Sequence, residues 1–491
     1  MQFVQFWGDD CIEQFCIYVR DIPKTLFYAH NGGKFDFFFL PWPLTKPKII
    51  NGRIATADFQ KHKLRDSFCI LPFALSNFEK TKIDYSKFER DEREKHKLEI
   101  MQYHRDDLLN TYEMVMAFRE RFGNKLTVAG AAINQLTAIH PVERKDSNHD
   151  AAFRPYLFGG RVQAIKPGDH RGEFNIYDVN SMYPDVMKRF NHPIGRGYEF
   201  TTIERKLLNS PAPGFVTVDC EPRGALPVRQ GYKLEFPHGR GLFHCTLHEL
   251  RAGVELGLID INEIRAGYLS LEYGSFGDFV DKFVGEKIAA KKSGDKLGEI
   301  FAKLMLNSAY GKLAANPENY FDYEFMMDGE NVPEGWEIDE DFGWMFIIRR
   351  PSPIRESSYY DVATGASITG AARSVLMRAL HAATNPIYCD TDSIICERLN
   401  LPTSDTELGK WKHEGRGNRA LIISRKLYAI FNDGELIKSA SKGVQLSSDN
   451  FLALLKNGEY TYSRDAPNYK KDGSVRFTTR TVKTNFNLTG K

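Results

Sequence analysis

Cysteine is scarce and unpatterned in this chain: seven in 491 residues, an odd number without the close spacing of a zinc site. That excludes a disulfide-stapled scaffold and favours a reducing compartment. Cys11 and Cys16 stand too isolated to count as a metal pair. Long apolar runs are also lacking. No stretch approaches the roughly 18 residues that a bilayer span requires, so no membrane span is expected. Met1–Arg20 has neither a basic start nor a long apolar core and does not read as a secretory signal. A surplus of one charge is missing too, since the net charge is only +2. Any binding of a polyanion must then rest on local clusters rather than on bulk charge. Internal repeats and low-complexity linkers are absent.

The chain has ample material for several packed domains: its length and a hydrophobic share of 42%. Its sharpest feature is Pro386-Ile-Tyr-Cys-Asp390-Thr-Asp392-Ser-Ile394. An apolar run stops at two carboxylates and resumes as Ile394, Ile395 and Cys396, which predicts a strand, a tight polar turn and a returning strand. Carboxylates at a buried hairpin tip need a cation, and Mg²⁺ suits ligands that are all oxygen. A second apolar strand, Phe174-Asn-Ile-Tyr-Asp178, ends in a carboxylate before Val-Asn-Ser-Met-Tyr-Pro184, with Pro184 in the first turn of a helix. Two Mg²⁺ ions held between Asp178 and Asp392 would make an in-line phosphoryl-transfer site. A third segment, Lys303-Leu-Met-Leu-Asn307-Ser-Ala-Tyr310-Gly311, has helical periodicity. Lys303, Asn307 and Tyr310 then share one face, and Gly311 either admits a close backbone approach or ends the helix.

Together these segments resemble the family B DNA polymerases. Asp178–Pro184 is similar to motif A, Lys303–Gly311 to motif B and Tyr388–Ser393 to motif C, in the family's order. The nearest resemblance is to the protein-primed branch of bacteriophages and linear plasmids, over nearly the whole chain. Lys426-Leu-Tyr428 resembles its Lys-x-Tyr element at the primer terminus, preceded by Leu408-Gly-Lys-Trp411. Ser441-Lys442-Gly443 resembles a later element. Tyr156-Leu-Phe158-Gly159-Gly160 resembles the template-binding Tyr-x-Gly-Gly linker, with the aromatic displaced by one position or replaced by Phe158.

The N-terminal third carries an incomplete second signature. Asn31–Asp36 resembles exonuclease motif II, and Tyr103–Asp107 resembles motif III. Ser67, after Asp66, resembles an element that holds single-stranded primer. Motif I, Asp-x-Glu, does not precede Asn31. With two of four metal-binding carboxylates unaccounted for, proofreading is expected to be weak or absent, whether the start is naturally short, misassigned or truncated.

The resemblance implies an α/β (α+β multidomain) right-hand polymerase. The expected divisions are a truncated ribonuclease H-like 3′-5′ exonuclease domain (1–125), linker and first palm segment (126–196), first insertion of the terminal-protein region type (197–287), fingers (288–314), second insertion (315–352), second palm segment (353–443) and thumb (444–491). It also implies roles: Asp178, Asp390 and Asp392 as catalytic acids, with Asp178, Asp392 and the Val179 carbonyl on two Mg²⁺ ions, for which Mn²⁺ could substitute. Tyr183, Lys291, Lys303, Asn307 and Tyr310 would bind nucleotide; Lys296 would stand in where the family has a lysine and this chain has Glu299. Ser67, Gly159, Gly160, Lys426 and Tyr428 would bind DNA. The implied partners are primer-template DNA, dNTPs and a terminal protein, acting with a monomer in the host cytoplasm. A non-catalytic replication scaffold and an oligonucleotide-primed polymerase remain as alternatives. Arg464, Lys470, Lys471, Arg476, Arg480 and Lys483 give the C-terminus a basic strand pattern, whereas the acids from Asp328 to Asp341 predict a solvent-facing tip.

Overall fold

The computed structural model describes residues 3–41, 44–75, 82–89, 91–142, 145–200, 208–231, 233–353, 360–441, 446–447, 449–451, 453, 459–469 and 475–485, the last two stretches through their backbone. The chain begins with α1 (Cys11–Asp21) and β1 (Leu26–Ala29), β2 (Thr45–Ile49), β3 (Ile54–Phe59) and β4 (His62–Asp66), which form a sheet in the order β1-β4-β3-β2. Three helices follow: α2 (Lys97–Phe122), α3 (Val128–Ile139) and α4 (Ser147–Phe153).

The centre of the molecule is assembled from distant pieces of chain. β5 (Val162–Ala164), β6 (Gly168–Val179), α5 (Met182–Arg189) and β7 (His192–Pro193) come first. A separate four-stranded sheet is then built from β8 (Gly197–Phe200), β9 (Gly214–Glu221), β12 (Gly241–Thr246) and β13 (Asp260–Ser270). The short hairpin of β10 (Val228–Gln230) and β11 (Lys233–Glu235), the helix α6 (Leu247–Glu255) and β14 (Tyr273–Gly274) complete this region. An antiparallel helix pair follows, α7 (Gly277–Ser293) and α8 (Lys296–Leu313), and then a three-stranded sheet of β15 (Phe321–Met327), β16 (Glu337–Asp341) and β17 (Met345–Pro351).

The chain returns to the centre through α9 (Val362–Ala382), β18 (Ala383–Asp390), β19 (Ser393–Leu399), β20 (Trp411–Ser424), β21 (Leu427–Asn432) and β22 (Glu435–Ser441). The seven-stranded sheet runs β22-β21-β20-β6-β19-β18-β5 with antiparallel neighbours throughout. A hairpin of β23 (Glu459–Tyr469) and β24 (Val475–Asn485) ends the described chain.

Alternation along the central strands sorts their side chains to two cores. Tyr177, Val179, Cys389 and Ile394 pack under the helices, while Ile176, Tyr388, Ile395 and Tyr428 fill the opposite face. The hairpin predicted around Asp390-Thr-Asp392 is present as β18 and β19. Three expectations are corrected. The strand ending near Asp178 is twelve residues long rather than short, because its exposed first half pairs with β20. Gly311 does not end its helix, since α8 continues to Leu313. The division drawn between 287 and 288 falls inside α7, one continuous helix from Gly277 to Ser293.

The acids at 328–341 are mostly exposed, as their charge requires. The neighbouring Phe342, however, packs on Phe38 of the N-terminal region, ring centroids 5.2 Å apart. Lys442, Gly443, Lys470 and Lys471 lie outside the described residues. So do the side chains of Arg464, Arg476, Arg480 and Lys483.

A buried histidine pair ties α5, α6 and α9 together. Ser367 Oγ lies 3.0 Å from His192 Nδ1 and 3.1 Å from His248 Nε2, and His192 Nε2 lies 2.9 Å from the Val186 carbonyl. Burial lowers His192 from 6.5 to about 4 and His248 from 6.5 to about 3, so both are neutral in the fold. The unfolded chain binds those protons more readily. Stability from this pair is therefore full above about pH 6.5 and is lost as pH falls toward about 4. The melting temperature is expected to drop between about pH 7 and about pH 5, less so in His248→Gln. Identical acid slopes for the two proteins would contradict this.

Candidate active site

The geometry of the acidic turn follows from strand register. Asp390 pairs with Ser393 across the β18–β19 hairpin, and Ser393 pairs with Asp178 on the next strand. The Val179 amide donates to the Asp392 carbonyl at 2.8 Å, so motif A and the turn are stitched together by backbone. Thr391 takes a positive φ of 57°, which lets its amide donate to the Arg161 carbonyl at 2.7 Å.

The three acids are not equivalent. Asp390 is paired with Lys426 Nζ at 3.1 Å and accepts from the Tyr388 hydroxyl at 3.3 Å. Asp178 and Asp392 have no ion pair among the described residues. Burial pushes Asp178 up to about 7, and the Asp392 and Glu414 charges add to that. Burial also raises Asp392, with Asp390 contributing. Two half-buried carboxylates at neighbouring strand ends, each held toward the protonated form by burial, form a pair whose charge a bound cation would balance. Among the described residues no three His, Cys, Asp or Glu side chains converge as a metal cage. A metal here would take two carboxylates and complete its shell with a main-chain carbonyl, water and substrate oxygens, which suits Mg²⁺.

The flanking segments brace this turn. A Cβ on Gly160 would lie 2.6 Å from Thr391 Oγ1, so the linker reaches the turn only because that residue has no side chain. Gly409 combines a φ of +75° with contact against Asp185, and its amide donates to the Asn180 carbonyl at 2.9 Å. With Trp411 opposite Val179, the Leu408–Trp411 run supports motif A. The Lys426 amide donates to the Tyr388 hydroxyl at 2.9 Å, and Tyr428 packs on the Tyr388 ring at 4.6 Å. Tyr428 itself is buried, in contact with Tyr388.

Lys303 and Asn307 are exposed on the same face of α8, with Tyr310 half-buried below them; Lys291 is exposed on α7. Tyr310 stacks on Tyr183 with ring centroids 4.0 Å apart and an interplanar angle of 12°. Asp392 adds to the upward shift of both phenols, which burial dominates.

Three charged groups were not anticipated. Arg373 is buried and paired with Glu249 at 2.6 Å, and it donates to the Phe158 and Gly159 carbonyls at 2.5 and 2.9 Å. Its signal in the sequence is a charge set among small and apolar residues in the middle of the helix; Arg378, the other arginine, lies near the C-terminal end with its side chain exposed. Glu414 and Lys438, 2.6 Å apart, flank the acids from β20 and β22; nothing local in the sequence joins them.

The N-terminal constellation is organised differently. Asp66 is buried and accepts from the amides of Asn31, Gly33 and Phe68 and from Arg53 at 2.6 Å. Arg53 also donates to the Asn31 side chain at 2.7 Å. Asp36 is exposed as a residue, while desolvation of its carboxyl raises it above the usual range. Tyr103 and Asp107 lie on α2, and Asp107 acts electrostatically on His30 and His104. Ser67 corrects an expectation: it is fully buried, 3.0 Å from His30 Nδ1, and shows no surface to a DNA strand.

A sheet carrying carboxylates at adjacent strand ends, faced by a helix bearing lysine, asparagine and tyrosine, defines a nucleotidyl-transfer enzyme. The family described as DNA polymerase type B, organellar and viral, matches residues 76–403, and the chain belongs to it as a DNA-directed DNA polymerase of the protein-primed kind. It is 40% identical to the DNA-directed DNA polymerase of Enterobacteria phage PRD1, over 98% of this chain and 92% of that one. It is 28% identical to the DNA polymerase of Bacillus phage phi29, over 52% of this chain and 45% of that one. The structure of phi29 DNA polymerase complexed with primer-template DNA matches the fold with a TM-score of 0.74 at 20% identity, covering 96% of this chain and 93% of the other. Among the described residues no helix is long and apolar enough to cross a membrane.

Proposed function

We propose that this polymerase replicates a linear viral or plasmid genome, starting on a terminal protein and displacing the non-template strand. The observation that carries the chemistry is the Asp178–Asp392 pair, brought together by the Ser393–Asp178 register with no cation against either carboxylate among the described residues. Asp178, Asp392 and the Val179 carbonyl would hold two Mg²⁺ ions, with Mn²⁺ able to substitute. When bound, such ions supply charge neutralisation and activation of the attacking hydroxyl.

The chain's own residues do the rest. Asp390 holds Lys426 beside the turn, where the ammonium can steady the primer end. Lys303 and Lys291 oppose the triphosphate charge. Asn307 and Tyr310 pack against the nascent pair, and Tyr183 lies under the sugar, where a 2′-hydroxyl would collide. The primer 3′-hydroxyl attacks the α-phosphorus, the bond to the β-phosphate breaks and pyrophosphate leaves in line. In initiation a hydroxyl of the terminal protein takes the place of the 3′-hydroxyl.

In this reading the seven-stranded sheet is the palm, α7 and α8 are the fingers, β23 and β24 belong to the thumb, and the β8–β13 and β15–β17 sheets are the two insertions. The N-terminal region is exonuclease-like with weak or no proofreading. Support comes from Arg53, which occupies the Asn31 amide oxygen. Phi29 DNA polymerase has been solved with primer-template DNA and incoming nucleotide, which supports the same two ligands here.

The test is incubation with the cognate terminal protein and labelled dNTPs, followed by denaturing electrophoresis. A nucleotide covalently attached to the terminal protein is expected. Extension of oligonucleotide primers without any protein-linked product would leave the polymerase and remove the protein-priming claim. Neither product would favour a replication scaffold.

A further inference from the structure

The β10–β11 hairpin stands outside the seven-stranded sheet, yet it is bonded to segments on both sides of the acidic turn. On one side, Arg229 of β10 donates from Nη2 to the Leu157 carbonyl at 3.0 Å and lies 5.8 Å from the Phe158 ring. The chain flanking the hairpin adds to this contact. Phe236 lies 4.2 Å from the Arg161 guanidinium, and the Gly224 carbonyl accepts from Arg161 Nη1 at 2.9 Å. Arg161 is the residue whose own carbonyl takes the Thr391 amide. On the other side, Glu235 of β11 pairs with Arg425 at 2.8 Å.

Arg425 and Lys426 are the two residues of the turn between β20 and β21. Lys426 has a φ of 56°, a left-handed conformation that lysine rarely adopts, so the turn needs contacts that hold it. Two of them come from β18: the Tyr388 hydroxyl accepts from the Lys426 amide at 2.9 Å, and Asp390 pairs with its ammonium at 3.1 Å. The third is the Glu235 carboxylate, which reaches the turn from the hairpin.

We propose that Glu235, acting through Arg425, is a positioning residue for the primer terminus. It fixes the turn that presents the Lys426 ammonium, so an element outside the sheet sets how well the primer end is held. This rests on the reading of Lys426 as the primer-end lysine.

Single-nucleotide insertion at varied primer-template concentration tests it. The proteins are Glu235→Gln, Arg425→Ala, their double variant, Lys426→Ala and Lys426→Ala with Glu235→Gln. Both side chains of the pair are partly exposed, which limits its strength. Glu235→Gln is expected to raise KM for primer-template by about two- to fivefold, with kcat changed less. Charge alone predicts the opposite, since removing an acid beside a polyanion strengthens binding. The sign therefore separates positioning from bulk electrostatics. Arg425→Ala should raise KM as well, and the double variant should go no higher than the larger single effect. In the Lys426→Ala background Glu235→Gln should add nothing, whereas general damage to the fold would add its own loss there. An unchanged or lowered KM in Glu235→Gln overturns the proposal, and so does a double variant in which the two factors multiply. Lys426→Ala should itself raise KM. If it does not, the primer-end reading fails and the proposal falls with it; if it does while Glu235→Gln has no effect, only the positioning role is removed.

Discussion

An Asp392→Ala variant is expected to bind primer-template as the parent chain does and to extend it at a rate lower by about a thousandfold or more. The basis is that Asp392 sits beside Asp178 with burial raising both despite nearby lysines, a pair whose charge a bound cation would balance. Removing one carboxylate loses a ligand to an ion worth several kcal/mol of transition-state stabilisation, and each 1.36 kcal/mol is tenfold in rate. The turn itself should survive, since its shape is held by backbone bonds: Val179 to Asp392 at 2.8 Å and Thr391 to Arg161 at 2.7 Å. The measurement is extension of an end-labelled primer on a single-stranded circle with Mg²⁺ and four dNTPs, beside a DNA-affinity titration. The parent should give products longer than the circle. Extension by the variant within about tenfold of the parent would remove Asp392 from the reaction.

The second large effect concerns stability. Arg373 and Glu249 are both almost wholly buried, with side chains 2% and 0% exposed. Glu249 also closes a capping box on Thr246 at the start of α6, and Arg373 holds the Phe158 and Gly159 carbonyls beside the catalytic turn. Arg373→Ala leaves a carboxylate in the core without its partner and frees two carbonyls. The expected destabilisation is about 3–5 kcal/mol. Pairing the change with Glu249→Leu should recover a large part of that loss, because the unpaired charge disappears with it. Denaturant unfolding of the three proteins decides the matter. A loss below about 1 kcal/mol in Arg373→Ala would mean that water reaches Glu249 and that the pair is not a structural anchor.

These two residues also divide what could be read in advance from what could not. Asp392 was legible because its neighbours in the chain announce it: an apolar run, two acids one residue apart and a second apolar run make a buried hairpin tip whatever surrounds it. Lys303, Asn307 and Tyr310 were legible for a similar reason, since helical periodicity alone places them on one face. Ser67 was misread because its surroundings in the chain say nothing about the His30 ring that lies against it. Of the two readings of Gly311, the helix end failed, because a glycine near a helix end has the same sequence signature whether or not the helix continues. The boundary at 287 falls within α7, where Gly285 interrupts the helical pattern without ending the helix.

By itself, then, the sequence determined the hairpin at Asp390–Asp392 and the shared helix face of Lys303, Asn307 and Tyr310, while the three segments in their order carried the resemblance to the family. The hairpin and the helix face live within a few covalently adjacent residues, where strand alternation and helical period act directly. Tertiary structure alone decided which segments meet: Asp178 with Ser393, Glu414 with Lys438, Arg373 with Glu249 and Arg425 with Glu235. Those pairings depend on the order of strands in the sheet and on how the helices pack across it. Both are set by burial summed over the whole chain, and no local window records that sum.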